Sequence, residues 1–414
     1  MDSTPKIFFY DDNKNGVLET GDGDKVILVC GQRKGGTSYF ALDVTNPDDP
    51  QYLWGVSQYD DNEAGTLELQ NITGTFQDNV ALSGSSGGAA VVNGTIDGTF
   101  LDYDSLTNNF AVGETVTDGT SNGDIVSISE DAPYFAPPTT VISELGETWS
   151  EPQFGLVKTA SGDTHVLFVG GGYSSDNSKG KTVLAIDVIT GAVVKQFTSG
   201  MIYSFPGTVS VIDEDGDGYV DKVYAGDLGG QMWRFASFAD PENPDETLAF
   251  PECNEIIDYT DHEWTGQVFF QTDENHSRKF FYPPSITLEK GYDLVFMGTG
   301  DRENACCNNV SPTECSSSEP DILCAVKDTH SPDTIIGEQD ISGTLYAKDL
   351  LDVTDPSDTP PNLNDPTGDV DGNGPDQGWY IRLVDDSDSA VGEKVLAEST
   401  VFYKVFYITT FTPN

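Results

Sequence analysis

The segment Asp213-Glu-Asp-Gly-Asp-Gly-Tyr-Val-Asp221 places carboxylates at loop positions 1, 3, 5 and 9 and a glycine at position 6. That spacing suits a hard cation. Calcium takes about six to eight oxygen ligands, and alternate residues of a tight loop point toward one centre. Asp213, Asp215, Asp217 and Asp221 would supply side chains, and the Tyr219 carbonyl position 7. Without an ion these carboxylates would repel one another at close range. The loop is not an EF-hand, because Tyr224 stands where that motif needs a bidentate Glu, and a strand follows rather than a helix. The expected role of the ion is therefore to staple a β-turn, structurally or as a regulator.

Two further loops share the grammar. Asp11-Asp-Asn-Lys-Asn-Gly-Val-Leu-Glu19 offers Asp11, Asn13, Asn15 and Glu19, with Gly16 at position 6 and the Val17 carbonyl at position 7. Asp22 stands close enough in sequence to add a ligand. Fewer charges imply weaker binding than at the first loop. The alternative is a polar hairpin turn. Asp369-Val-Asp-Gly-Asn-Gly374 offers Asp369, Asp371 and Asn373, but Gln377 sits where an acid is expected, so a plain linker explains it equally.

Signals for catalysis are poor. None of the four histidines forms H-E-x-x-H, since His262-Glu263 runs on into Trp-Thr-Gly. Gly84-Ser-Ser-Gly-Gly88 matches G-x-S-x-G formally but lacks the strand-to-helix context of a nucleophile elbow. No phosphate-cradling loop with a lysine is present. Neither catalytic residues nor an organic cofactor are expected. Trp54 and Trp233 sit at strand ends and read as core.

Short β-branched runs bounded by Gly- or Asp-rich turns must position these loops. Lys25–Cys30 and Thr37–Asp43 make one pair, His165–Val169 and Thr182–Asp187 another, and Asp221–Ala225 and Gln231–Phe235 a third. Phe40-Ala-Leu-Asp-Val-Thr45 and Leu184-Ala-Ile-Asp-Val-Ile-Thr190 echo each other. Weak repetition of four-strand units predicts an all-β chain, a β-propeller of about seven blades at roughly 45 residues each. We expect a first propeller segment over 1–65, an inserted β-rich module over 66–132, and the remaining blades over 133–414. The module is rich in Gly, Ser, Thr and Asn and nearly free of Lys and Arg. An acidic loop is expected over 352–378.

The 414 residues carry 69 acidic and 20 basic side chains, a net charge of −49. A phosphate backbone or an anionic membrane needs a basic patch, so both are excluded as partners. Solubility alone explains such a charge, and so do multivalent cations; clustering in Asp/Asn/Gly loops favours the second. No run is apolar for long enough to span a bilayer. Met1-Asp2-Ser3-Thr4-Pro5 leads straight into a strand, and Val401–Phe411 reads as a strand pair cut off as it forms. The expectation is a piece of a longer secreted protein, with a second chain completing it. Of six cysteines, Cys306, Cys307, Cys315 and Cys324 crowd together without a C-x-x-C pair. A disulfide-rich loop over 301–325 fits that spacing better than zinc. Cys30 and Cys253 either pair or remain buried thiols.

A resemblance emerges from motifs in series. They are Val29-Cys-Gly-Gln-Arg-Lys-Gly-Gly-Thr-Ser-Tyr-Phe-Ala-Leu-Asp-Val-Thr45, Leu145-Gly-Glu-Thr-Trp-Ser-Glu-Pro152, Val169-Gly-Gly-Gly-Tyr173 and Ala185-Ile-Asp-Val-Ile-Thr-Gly191. The acidic loop and Val223-Tyr-Ala-Gly-Asp-Leu-Gly-Gly-Gln-Met-Trp-Arg-Phe235 follow, then Met297-Gly-Thr-Gly-Asp301 and Gly378-Trp-Tyr-Ile-Arg-Leu383. Together they resemble the C-terminal domain of the PilY-type (PilY/PilC) type IV pilus tip adhesins. The resemblance implies a modified seven-bladed propeller with a calcium loop between blade strands. It implies an extracellular place at the pilus tip beside minor pilins, adhesion to host or abiotic surfaces, and calcium control of pilus extension and retraction. Asp213, Asp215, Asp217 and Asp221 match that family's calcium motif position by position. The module from about Thr66 and the Asp11 loop depart from the family pattern, and no Arg-Gly-Asp motif is present. Two other readings compete: a quinoprotein-like propeller oxidoreductase, for which no cofactor cage is found, and a structural subunit of a surface filament.

Overall fold

The computed structural model describes residues 3–19, 21, 23–58, 65–93, 99–130, 139–159, 162–214, 216–237, 264–272, 278–289, 292–304, 320–328, 345–346, 350–363 and 377–413. Every regular element among them is a strand, apart from a 3-10 turn at Arg302–Asn304. The chain divides into two compact units. One comprises Met1–Phe8, Val29–Thr37 and Glu144–Asn414; the other comprises Phe9–Leu28 and Ser38–Ser143.

The first four strands, β1 (Lys6–Tyr10), β2 (Lys25–Gly31), β3 (Ser38–Asp43) and β4 (Gln51–Ser57), pair in chain order. Six strands then close a barrel: β5 (Gly65–Thr73), β6 (Ala81–Gly84), β7 (Ala89–Val92), β8 (Phe100–Asn108), β9 (Thr115–Thr117) and β10 (Asn122–Glu130). Their order is β10-β5-β8-β7-β6-β9. Alternation such as Leu67 and Leu69 inward, Glu68 and Gln70 outward, fills it with an apolar core of its own that includes Phe76, Leu82, Leu101 and Ile125. The next strand, β11 (Thr139–Val141), adds to β4 in parallel.

Three sheets follow the same plan. They are β12 (Gln153–Thr159), β13 (Gly162–Gly170), β14 (Val183–Asp187) and β15 (Val193–Phe197); β16 (Ser210–Ile212), β17 (Lys222–Gly226), β18 (Gln231–Ser237) and β19 (Trp264–Gln271); and β20 (Ser285–Glu289), β21 (Tyr292–Gly298) and β22 (Ile322–Asp328) with later strands. Among those, β23 (Leu345–Tyr346) runs parallel to β19, β24 (Leu351–Asp352) runs parallel to β25, and β25 (Gly378–Arg382) pairs with β22. Two small pairs complete the described chain: β26 (Lys394–Val395) with β29 (Thr410–Phe411), and β27 (Thr400–Phe402) with β28 (Val405–Tyr407).

Middle strands such as Val166-Leu-Phe-Val169 are buried at every residue, because neighbouring sheets cover both faces and alternation is lost. One core joins Val166, Phe168, Val183 and Phe205 to Val223, Trp233, Phe235 and Trp264. A second joins Tyr224, Met232 and Phe270 to Val295, Met297, Ile322 and Val326. Trp54 and Trp233 are core residues as expected, but they stand within β4 and β18 rather than at strand ends. In three sheets the third and fourth strands carry a β-bulge, at Ala41/Leu42, Ala185/Ile186 and Met232/Trp233.

The internal echo has a physical basis. Asp43 ends β3 and accepts the Thr45 amide at 3.0 Å; Asp187 ends β14 and accepts the amides of Ile189 and Thr190 at 2.8 Å each. The chain carries a third copy. Leu351-Asp-Val-Thr-Asp-Pro356 repeats Leu42-Asp-Val-Thr-Asn-Pro47, and Asp352 accepts the Thr354 amide at 2.9 Å. An aspartate whose carboxylate copies a backbone turn ends all three strands.

The expectation for Cys324 is corrected. It lies within β22, fully buried in the second core, with a free thiol that burial pushes up in pKa. Its thiol belongs to an apolar cluster with Met297, Ile322 and Val326. Cys30 is also a buried free thiol. Cys253, Cys306, Cys307 and Cys315 lie outside the described residues.

Candidate metal centre

The Asp213–Asp221 loop joins β16 to β17. Asp213 folds back on the loop, accepting the Gly216 amide on Oδ1 at 2.7 Å and the Gly218 amide on Oδ2 at 2.9 Å. Asp217 Oδ1 accepts the Tyr219 amide at 2.8 Å, and Asp221 Oδ2 accepts the Glu214 amide at 2.6 Å. Gly216 and Gly218 have φ of 80° and 93°, the left-handed region that a side chain would strain. Asp215 lies outside the described residues.

The Asp11–Glu19 loop repeats three of these bonds and differs in a fourth: Asp11 Oδ1 accepts the position-5 amide of Asn15 at 3.2 Å, where Asp213 Oδ1 takes the position-4 amide. Asp11 Oδ2 accepts the Gly16 amide at 2.6 Å, as Asp213 does for Gly218. Asn15 Oδ1 accepts the Val17 amide at 2.7 Å, as Asp217 does for Tyr219. Gly16 has φ of 79°. At the second loop position, the Asp12 amide donates at 2.9 Å to Asp24, as the Glu214 amide donates to Asp221. Asp24 also accepts the Glu19 amide at 2.7 Å and is buried. Sequence spacing pointed to Glu19 as the closing acid. The structure gives the closing hydrogen bonds to Asp24, which lies beyond the motif. Asp22, and the third candidate's Asp369, Asp371 and Asn373, lie outside the described residues.

Among the described residues, no three His, Cys, Asp or Glu side chains already converge as a cation cage. The donor set itself fits a hard cation. It is all oxygen, and a carboxylate oxygen that accepts one amide keeps a second lone pair for a metal. No nitrogen or sulfur donor stands in either loop to favour zinc.

The two loops differ in what holds them. Tyr219 reaches the β12–β13 hairpin, its hydroxyl 2.9 Å from Asp163 Oδ1 and its ring under Lys158 Nζ at 4.6 Å. The Val220 amide donates to Leu156 O in β12 at 2.9 Å. On the other side stands Lys222, wholly buried, its Nζ 2.8 Å from Glu214 and 2.5 Å from Asp293 in β21. Tyr224 donates its hydroxyl to Asp328 at 2.7 Å and lies 3.0 Å from Asp293, while Arg234 pairs with Asp328. Burial pushes the Asp293 carboxyl up, against the pull of Lys222, and raises the Tyr224 phenol well above its ordinary value. Sequence reading missed this network. A Lys and an Asp inside otherwise buried strands were its signal, but their pairing is a matter of tertiary structure.

Just beyond the strand leaving the loop stands Asp227, which accepts the Gly229 and Gln231 amides at 2.8 and 3.0 Å and the Trp233 indole N–H at 2.9 Å. Burial lifts its carboxyl to about 7 against these donors. Other singled-out motifs meet in the same unit. The Glu147 amide donates to Tyr173 O at 2.9 Å, the Arg33 amide to Thr148 O at 3.1 Å, and Trp149 stacks on Tyr173 at 4.7 Å. Gly84-Ser-Ser-Gly-Gly88 is the β6–β7 hairpin turn. It wraps the buried carboxylate of Glu114, which accepts the Ser86 amide at 2.8 Å. A Cβ at Gly84 would stand 2.5 Å from that carboxylate, so glycine there serves packing.

Residues 126–273, which contain the main acidic loop, match the family described as the PilY1 beta-propeller domain. The resemblance to the PilY1 β-propeller family read from the motifs is matched by that segment and by the relatives that follow. It is 32% identical over 171 residues to the type IV pilus biogenesis factor PilY1 of Pseudomonas aeruginosa strain UCBPP-PA14, covering 38% of this chain and 14% of that protein. With PilY1 of strain PAO1 the identity is 26% over 298 residues, 66% of this chain and 24% of the relative. The chain thus spans a quarter or less of these relatives' length. The crystal structure of the P. aeruginosa PilY1 C-terminal domain superposes with a TM-score of 0.58 at 18% identity, over 99% of this chain and 67% of that one. This likeness establishes the shared all-β fold.

Proposed function

We propose that this chain is the calcium-binding propeller region of a type IV pilus tip-associated adhesin and pilus biogenesis factor. The observation that carries the reading is the Asp213–Asp221 loop, an all-oxygen donor set held by its own amides and lying within the segment that matches the PilY1 family. The proposed ligands are Asp213, Asp215, Asp217, the Tyr219 carbonyl and Asp221. A second, weaker calcium would take Asp11, Asn13, Asn15, the Val17 carbonyl and Glu19, with Asp24 as the closing support. The repeated hydrogen-bond pattern supports that second site.

The finer architecture belongs to the same proposal. The sequential four-stranded sheets are blades of a modified propeller of about seven, and the β5–β10 barrel is a module inserted into it. The chain acts at the cell surface, at the pilus tip, with minor pilins and a host or abiotic surface as partners, and calcium sets the balance of pilus extension and retraction. The pilus assignment of the relatives supports this placement. It assigns no catalysis to the chain.

Calorimetry on the calcium-free protein tests the reading beside Asp217→Ala. The expected result is a tight site that disappears in the variant and a weaker one that remains. Absence of any calcium binding in the unaltered chain would reject the proposal. The regulatory part is tested in cells. Asp213→Ala is expected to change pilus number or retraction while the fold survives, and normal pili in a variant shown to lack the ion would remove that part.

A further inference from the structure

The main loop touches both sheets that flank its own. Tyr219 and Val220 fasten it to β12 and β13. Glu214, at loop position 2, faces the other way. Position 2 is not a ligand position in such loops, so its carboxylate serves something else. It lies 2.8 Å from Lys222 Nζ, and that same nitrogen lies 2.5 Å from Asp293 in β21. Lys222 has no exposed side-chain surface and Asp293 almost none. A lysine buried to that degree needs its carboxylates, and the buried Asp293 needs the lysine; Glu214, one-third exposed, joins the pair from the solvent side. The Glu214 amide is simultaneously held by Asp221 at 2.6 Å, so the residue that meets Lys222 is fixed by a proposed ligand. From Asp293 the chain of contacts continues through Tyr224 to Asp328 in β22 and to Arg234 in β18.

We propose that Glu214 and Lys222 are positioning residues that transmit cation occupancy of the Asp213–Asp221 loop to the β20–β22 sheet through Asp293. The inference rests on the calcium reading of the loop. The physical step is simple. Asp213, Asp217 and Asp221 would converge on a bound cation, and that convergence would stiffen the backbone at Glu214, whose amide Asp221 holds. That stiffening holds the Glu214 carboxylate on Lys222, and Lys222 in turn holds Asp293 against the adjacent strands. The coupling is reciprocal: whatever loosens β21 and β22 weakens the ion, and the ion tightens them. Glu214→Gln removes the outer charge and keeps the buried Lys222–Asp293 pair. Lys222→Met removes the buried charge and keeps most of the side-chain volume. Neither replaces a proposed ligand, and both keep the Glu214 amide that Asp221 holds.

The test is backbone hydrogen exchange followed by mass spectrometry, with and without calcium chloride, alongside calorimetry on the same samples. In the unaltered chain, calcium is expected to slow exchange about tenfold in Tyr292–Gly298 and Ile322–Asp328 as well as in the loop. In Glu214→Gln and Lys222→Met, calcium still binds and slows the loop, while slowing in β21 and β22 falls to about twofold or less. If circular dichroism shows Lys222→Met to be unfolded, Glu214→Gln decides alone. Slowing confined to Asp213–Asp221 in the unaltered chain overturns the coupling and leaves the calcium reading standing. Equal slowing of β21 and β22 in Glu214→Gln also overturns it. Calorimetry that detects no calcium overturns the calcium reading itself, and the coupling with it.

Discussion

The two acidic loops make one backbone hydrogen-bond pattern in two settings. In both, the first aspartate accepts the amide at position 6, the fifth residue accepts the amide at position 7, and a later aspartate accepts the amide at position 2. What differs is the surroundings. Asp11–Glu19 is exposed over nearly its whole length, and its closing acid is Asp24. Asp213–Asp221 runs into a strand whose first residue, Lys222, is buried between Asp293 of β21 and the loop's own Glu214. The main loop also offers four acids at ligand positions where the other offers two acids and two amides. Local chemistry makes each a loop of this kind; position in the fold decides whether an ion bound there has consequences elsewhere.

The largest effect should separate the settings rather than the loops. Lys222→Ala is expected to cost about 3–5 kcal/mol of stability, because it strands the Asp293 carboxylate in the core. Lys14→Ala, in the exposed loop, should leave the denaturation midpoint unchanged. Equal effects in chemical denaturation would break the comparison. Next comes Asp217→Ala, which should weaken the tighter calcium site by about 100-fold, roughly 2.7 kcal/mol, and spare the weaker one. Calorimetry reads both in one titration. Third, Asp24→Ala leaves the Asp12 and Glu19 amides without their acceptor and should cost about 1–2 kcal/mol. It should abolish the weaker calcium site while the tighter one is untouched, and loss of both would show the loops to be interdependent. Smallest, Asn15→Asp adds a charge at position 5 and should tighten the weaker site about fivefold, drawing the two loops closer in affinity. An unchanged affinity would mean that setting, not ligand charge, separates them.

Much of this was legible in the residues themselves. Runs such as Val166-Leu-Phe-Val169 have only one stable use in a chain this rich in turns, a strand covered on both faces. The loops were legible because their bonds are local: a carboxylate, a glycine and an amide within a few residues define them without help from the rest of the chain. The echo between Asp43 and Asp187 was legible for the same reason, and the third copy at Asp352 obeys the same rule. Cys324 was misjudged because proximity in sequence to three other cysteines says nothing about which way a strand turns its side chain.

What the sequence determined alone was therefore the set of short-range devices: strands, aspartate turns, glycine-permitted loops and their oxygen donors. The tertiary structure decided everything whose partners lie tens of residues apart. Glu114 fills a glycine turn that resembles a nucleophile elbow, and Lys222 meets an aspartate 71 positions away. The physical reason is that a buried charge is tolerable only beside its opposite, and which opposite it finds is set by how the sheets stack, not by neighbours in the chain.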